Sequence, residues 1–274
     1  MGFFDQHLHS RHSFDCRTDP RANVESAIAR GLSGLTFTEH FDTHPDDWAG
    51  CVYDDAAYSQ TIESLRREFD ARIFIGKGIE VCYQPSRMDF ILDFLASHEF
   101  DLVILSVHYF AGVPVHRRDP WNGVDADRGT RLYLENVLEA VRFCEQLHRG
   151  GTRVFDVLGH LDVVKRYTHR FLGSYDVTCC ADLIDEILHA CVRADLTPEI
   201  NTSSLRQGLL ETMPGPSTVI RYAELGGQAM SLGSDAHRAD DLGANFEKAV
   251  EMLREAGIGH AAVFQQRARR LEPI

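Results

Sequence analysis

Several places along the chain set histidine beside a carboxylate or a second histidine, in patterns that could hold a metal ion. In His7-Leu8-His9 the alternation of an extended strand puts both imidazoles on one side, able to grip one ion. Further on come Glu39-His40, Glu80 within Gly78-Ile79-Glu80-Val81, His108, His160, Glu199 with Asn201, and Asp235-Ala236-His237. A single buried histidine is ordinarily a hydrogen-bonded core residue, and a single strand carboxylate ordinarily pairs with Lys or Arg. Those explanations cover one or two positions, not a series that returns at the end of each apolar run. Imidazole and carboxylate without thiolate suit Zn, Fe or Mn and leave coordination positions open to water, so the pattern predicts a polynuclear metal centre.

The elements that must carry these residues are short apolar runs alternating with amphipathic ones. Strands are expected over 3–9, 34–39, 72–81, 100–109, 154–160, 197–202 and 229–235, with a short eighth over 261–264. Runs such as Leu102-Val103-Ile104-Leu105 are apolar on both faces, as parallel strands covered by helices require. Helices are expected over 23–30, stopped by Gly31, then 54–70, from Pro85 with Met88, Ile91, Leu92 and Leu95 on one face, 130–148, 182–194, 217–225 and 241–256. Seven β-α units in series predict an α/β fold of one domain over 1–274, a parallel barrel with its chemistry at the carboxyl ends of the strands. The connections over 41–52 and 111–129, rich in Asp, His, Pro and Gly, are expected to rim the site.

Composition narrows the class. The 274 residues carry 28 Lys plus Arg against 41 Asp plus Glu, a net charge of −13, which repels phosphate backbones and argues against nucleic acid as partner. No apolar run reaches the ~20 residues of a membrane span, and the N-terminus lacks a signal-peptide pattern. The seven cysteines include no C-x-x-C pair and read as reduced thiols, so a cytoplasmic protein is expected, with oligomeric state left open.

Asp5-Gln6-His7-Leu8-His9-Ser10, Thr38-Glu39-His40, Gly78-Ile79-Glu80, Ser106-Val107-His108, Gly159-His160-Leu161-Asp162 and Gly233-Ser234-Asp235-Ala236-His237 together resemble the motifs of the PHP (polymerase and histidinol phosphatase) superfamily, in order along nearly the whole chain. Gly159 through Tyr167, Glu199 through Arg206 and Gly233 through Gly243 resemble its histidinol-phosphate phosphatase branch. The resemblance implies a distorted (β/α)7 TIM-like barrel and two to three divalent ions. It implies one ion held by His7, His9, Glu80 and Asp235, a second sharing Glu80 with His108 and His160, and a third on Asp15, His40 and His237. Members carry either His or Asp at the position of Asp15, and His12 is close enough to compete for that ion. The loop Phe110-Ala111-Gly112-Val113-Pro114-Val115-His116-Arg117-Arg118 departs from the Asp-Gly sequence of this branch, which bears on substrate detail.

The chemistry implied is a metal-dependent phosphomonoesterase that hydrolyses L-histidinol phosphate to L-histidinol and phosphate. Glu80 would bridge two ions, with a hydroxide between them directed at phosphorus. Phosphoryl transfer needs in-line positioning and positive charge on the non-bridging oxygens, and Arg166 and Arg206 present the planar fork that fits phosphate; the alternative for each is an ordinary ion pair. The competing readings are a related phosphoesterase acting on a nucleotide or sugar phosphate, and a catalytically dead binding module. Asp162 and Lys165 share the segment after His160, as a catalytic pair or a local ion pair. His44, His116 and His169 are expected in surface loops, His98, His148, His189 and His260 on or beside helices, and Arg267-Ala268-Arg269-Arg270 in a solvated tail.

Overall fold

The computed structural model describes residues 2–45, 53–110 and 112–274. Its frame is a nine-stranded sheet built from β1 (Phe4–Leu8), β2 (Gly34–Phe41), β3 (Phe74–Cys82), β4 (Leu102–Ser106), β7 (Val157–Leu158), β8 (Thr197–Asn201), β9 (Met230–Gly233), β10 (His260–Gln265) and β11 (Ala268–Pro273) in that order. The neighbours from β1 to β10 are all parallel, and only β10–β11 is antiparallel. A two-stranded ribbon, β5 (Tyr109–Phe110) with β6 (Val113–Pro114), stands apart from it.

The sheet curls back on itself. Asp235 N donates to His7 O at 2.7 Å and His9 N to Ala236 O at 2.9 Å, so the end of β1 meets the chain just past β9. Strand alternation sorts the residues of β4 between two cores. Leu102 and Ile104 pack with Val157, Ala229, Ala262 and Phe264, whereas Val103 and Leu105 face the larger core under the helices. One level up, the inward positions turn polar: Glu80, Ser106, His7 and Glu199 are all buried.

Helices α1 (Pro20–Ala29), α2 (Asp55–Glu68), α3 (Met88–Ser97), α4 (Ala126–Arg149), α5 (Val164–Leu172), α6 (Ala181–Arg193), α7 (Ser203–Arg206), α8 (Pro216–Glu224) and α9 (Phe246–Glu255) cover the sheet. Asp19, Asp54 and Asp125 cap α1, α2 and α4 through their carboxylates. Gly31 takes φ +73° after α1, the left-handed stop its sequence position foretells. No helix among the described residues is long and apolar enough to cross a membrane.

Three expectations need correction. The segment after His160 is not a loop: α5 begins at Val164, so His169 lies on a helix, half-buried, with its ring against Tyr175. Arg267 to Arg270 is no tail. Gln266 and Arg267 turn the chain at φ +49° and +64°, and the rest enters β11. His260 opens strand β10, exposed, rather than a helix, and the expected eighth strand is this longer one. Of the connection expected over 41–52, residues 46–52 lie outside the described residues, as does Ala111 of the second. The remainder of that second connection carries β6, a 3-10 turn at Asp119–Trp121 and the start of α4.

Candidate metal centre

All nine residues expected to bind metal converge at the carboxyl ends of the strands. Glu80, at the end of β3, is the hub. Its Oε1 lies 3.2 Å from His108 Nε2 and 3.0 Å from His160 Nε2, and accepts from Ser106 Oγ at 2.6 Å. Its Oε2 lies 2.8 Å from His40 Nδ1, 3.5 Å from His7 Nε2 and 3.6 Å from His9 Nε2. Asp235 Oδ1 is 3.5 Å from His9 Nε2 and 3.6 Å from His237 Nδ1. Asp15 Oδ2 is 3.0 Å from His237 Nε2 and 3.5 Å from His40 Nε2. His12 instead meets Thr61 Oγ1 at 3.1 Å, on the side of α2, so the structure brings Asp15 and not His12 to the cluster.

Glu80 Oε2, His7 Nε2, His9 Nε2 and His40 Nδ1 are buried and make no hydrogen bond, although they crowd one another. Buried polar atoms without partners are costly, and four of them aimed at shared space fit a cation. The triplets His7–His9–Asp235, His7–Glu80–His160, His40–Glu80–His108 and His9–His40–His237 each gather ligand atoms within 4.8 Å. Electrostatics agree with a site made for positive charge. Despite burial, His7 and His40 hold Glu80 well below the usual carboxylate range, and Glu80 with Glu199 raises His7. Burial, with His40 and His237 beside it, presses His9 down to about 3, leaving its ring neutral.

Three of the imidazoles are oriented by a partner behind them. His7 Nδ1 meets Glu199 Oε1 at 2.8 Å, and Glu199 Oε2 also accepts from His160 N at 2.7 Å. His108 Nδ1 sits 3.1 Å from Asp42 Oδ2. Ser13 Oγ donates to Glu39 Oε2 at 2.6 Å, so it must accept from His9 Nδ1 at 3.1 Å, which leaves His9 Nε2 its lone pair. Asp235 itself takes φ +51°, a conformation a non-glycine residue rarely adopts. Asp5 holds it there by accepting from Ser234 N and Oγ at 3.0 and 2.5 Å and from Gly243 N at 2.9 Å. Gly233 is required by close approach, since a Cβ would stand 1.9 Å from Glu199 Oε1 and 2.6 Å from His7 Cβ. Sequence reasoning placed Glu199 at a strand end without giving it this task. It also passed over Asp42 and Ser13, whose only signal is proximity to His40 and His9.

The cluster floors a cleft of about 540 Å³, walled by Arg166 and Tyr167 on one side and by Tyr109, Val115 and His116 on the other. Arg166, at the start of α5, donates from Nη2 to Ser203 Oγ at 2.6 Å and lies 3.4 Å from Asp235 Oδ2, while its Nε is buried without a partner. Arg206 is not among the residues lining the cleft. Its Nη2 donates to Ser234 O at 2.7 Å, bracing the turn that carries Asp235, and its Nη1 is buried and unpartnered. Lys165 is wholly buried, bonded at 2.7 Å to both Asp162 and Glu211, so that pair ties α5 to the loop before α8 rather than facing the cleft. His44 stacks on Tyr109, ring centroids 4.3 Å apart.

A family model described as the PHP domain matches residues 5–203. A probable histidinol-phosphatase of Deinococcus radiodurans is 29% identical over 97% of this chain and 98% of its own. The histidinol-phosphatase of Lactococcus lactis is 30% identical over 96% of this chain and 95% of its own. The crystal structure of histidinol phosphate phosphatase from Lactococcus lactis, complexed with Zn, L-histidinol and phosphate, is similar with a TM-score of 0.86 over 98% of both chains, at 29% identity. With its family motifs gathered around Glu80 and the match spanning most of its length, this chain belongs to the PHP domain family.

Proposed function

We propose that this protein is a divalent-metal-dependent phosphomonoesterase that hydrolyses L-histidinol phosphate to L-histidinol and phosphate, with residues 1–274 acting as one domain. The observation that carries this is the ring of unpartnered imidazole and carboxylate atoms around Glu80, at the floor of a cleft whose wall presents Arg166. The donor set fits Zn, Fe or Mn, and His7, His9, Glu80 and Asp235 would hold one ion, Glu80, His108 and His160 a second, and Asp15, His40 and His237 a third. When bound, the ions supply positive charge to the phosphoryl oxygens and acidify water at neutral pH.

The chain's own part is positioning and charge. Arg166 is anchored by Ser203 and Asp235 and keeps an unpartnered Nε, so it meets the phosphate with its orientation already set. Arg206, expected as the second phosphate guanidinium, does not line the cleft and would act instead through the turn that carries Asp235, which its Nη2 braces at Ser234 O. Glu199, Asp42 and Ser13 hold His7, His108 and His9 in the tautomers that leave a lone pair facing the cluster. Likeness to histidinol-phosphatases over nearly the full length supports this substrate over a nucleotide or sugar phosphate. The net charge of −13 supports a small substrate and no nucleic-acid partner, and the free cysteines support the cytoplasm. The test is Glu80→Gln: the variant should fold, bind fewer ions per chain by elemental analysis and release no phosphate from L-histidinol phosphate above background. Full metal content with full turnover would overturn the reading.

A further inference from the structure

Cys179 and Cys180, which do not line the cleft, lie in a 3-10 turn, Thr178–Cys180, that leads into α6. Adjacent side chains on such a turn point about 120° apart, yet here the two sulfurs lie 3.4 Å from each other. The turn is held from several directions. Asp176 Oδ1 accepts from Thr178 N at 2.8 Å, Cys180 N donates to Val177 O at 3.0 Å, and Arg131 Nη2 donates to Cys179 O at 3.2 Å. The same guanidinium is paired with both oxygens of Asp182, at 3.1 and 3.0 Å. Cys179 is exposed and Cys180 is buried directly behind it.

The separation selects among the things two thiols can do. A disulfide needs the sulfurs at about 2.05 Å with a dihedral near 90°, which this spacing does not approach. A shared atom at about 2.3 Å from each sulfur closes an S–X–S angle of about 95°, whereas tetrahedral zinc at that bond length wants the sulfurs about 3.8 Å apart. An angle compressed below tetrahedral is what a trivalent main-group centre with a lone pair adopts. Partial desolvation raises both thiols above their ordinary range, and in Cys179 the neighbouring sulfur adds to it.

We propose that Cys179 and Cys180 form a dithiol site for trivalent arsenic, as an arsonous acid. Exposed Cys179 makes the first As–S bond and Cys180 the second. Two As–OH bonds break, two S–H protons leave with the hydroxides as two waters, and arsenic stays trivalent, so no oxidant or reductant enters. The other described cysteines, Cys16, Cys82, Cys144 and Cys191, are all buried.

The test uses the full chain, reduced and freed of reductant, with phenylarsonous acid as probe and intact mass as readout. One equivalent should be retained through gel filtration and a monothiol wash, with the mass change of losing two waters, and be removed by a 1,2-dithiol. C179S, at an exposed position, should lose the monothiol-resistant adduct completely, while C51S and C144S keep it. No retained adduct on the wild-type chain, or retention unchanged in C179S, would overturn the proposal.

Discussion

Replacing Glu199 by Gln preserves the shape of a buried side chain but removes its negative charge and the ability of both its ends to accept. In the native site Oε1 faces His7 Nδ1 at 2.8 Å and Oε2 faces His160 N at 2.7 Å. The backbone N–H of His160 cannot change, so the amide oxygen of Gln must take it, and the amide NH₂ then faces His7 Nδ1. Two donors cannot share that contact, so His7 moves its proton to Nε2, the atom that faces Glu80 3.5 Å away. An Nε2 that carries a proton cannot ligate. Losing a charge-assisted hydrogen bond costs about 1.5–3 kcal/mol, and the loss typical of a residue behind a metal-bound histidine is about 10- to 100-fold in affinity. The two estimates agree, since a factor of ten is about 1.4 kcal/mol. Competition against a chelator of known strength, with zinc as the probe, should therefore show one ion bound 10- to 100-fold more weakly, while circular dichroism shows the fold intact. Zinc affinity unchanged in Glu199→Gln would refute the claim that Glu199 sets the tautomer of His7.

Other perturbations follow from the same geometry. Arg166→Ala should lower kcat/KM for the phosphate ester by about 10- to 100-fold without changing metal content, and an unchanged kcat/KM sinks its phosphate role; Arg206→Ala should act through the Asp235 turn and lower metal content together with kcat/KM, and native metal content with native kcat/KM contradicts that. Gly233→Ala sets a methyl 1.9 Å from Glu199 Oε1 and should cost about 3 kcal/mol or more of stability in a denaturant melt; a native midpoint with native metal content contradicts the close approach. For pH, Glu199 and Glu80 raise His7 and Asp42 and Glu80 raise His108, despite burial. A histidine raised in the folded state stabilises fully below its unfolded pKa of about 6.5 and loses that contribution as pH climbs through the folded value. Metal binds the deprotonated rings, so its stabilisation runs the other way. Thermal melts should therefore show the gap between zinc-loaded and chelated protein widening as pH rises above about 6.5, and a gap that narrows contradicts the assignment.

The frame and the residues that cluster around Glu80 were legible because they rest on local signals. Apolar runs ending in His, Glu or Asp mark β1, β3 and β9, and nothing distant is needed to see that Glu80 or Asp235 closes a strand. What stayed hidden depends on partners far along the chain. Helix α5 has nine residues and holds Lys165 at a fully buried position; Asp162 beside it is one counter-charge, but the second, Glu211, lies 46 residues on, and without it the segment reads as loop. Strand β11 reads as a basic tail, since Gln266-Arg267 is not a turn sequence; the turn is held by Arg267 on Asp156 and on the carbonyl of Val154. Asp42 looks like one more loop acid until the fold brings it 66 residues back to His108. Arg206 sits close to a strand end, as expected, but its geometry turns it toward the backbone of Ser234 and away from the lining of the cleft.

The most direct test of the account is phosphate release by the metal-reconstituted protein from L-histidinol phosphate, beside nucleotides, sugar phosphates and a generic aryl phosphate. The account predicts a kcat/KM for L-histidinol phosphate about a hundredfold or more above every other substrate, a margin of about 2.7 kcal/mol in transition-state binding, and its loss on chelation. Turnover of the aryl phosphate with none of L-histidinol phosphate, or activity that survives chelation, would contradict it.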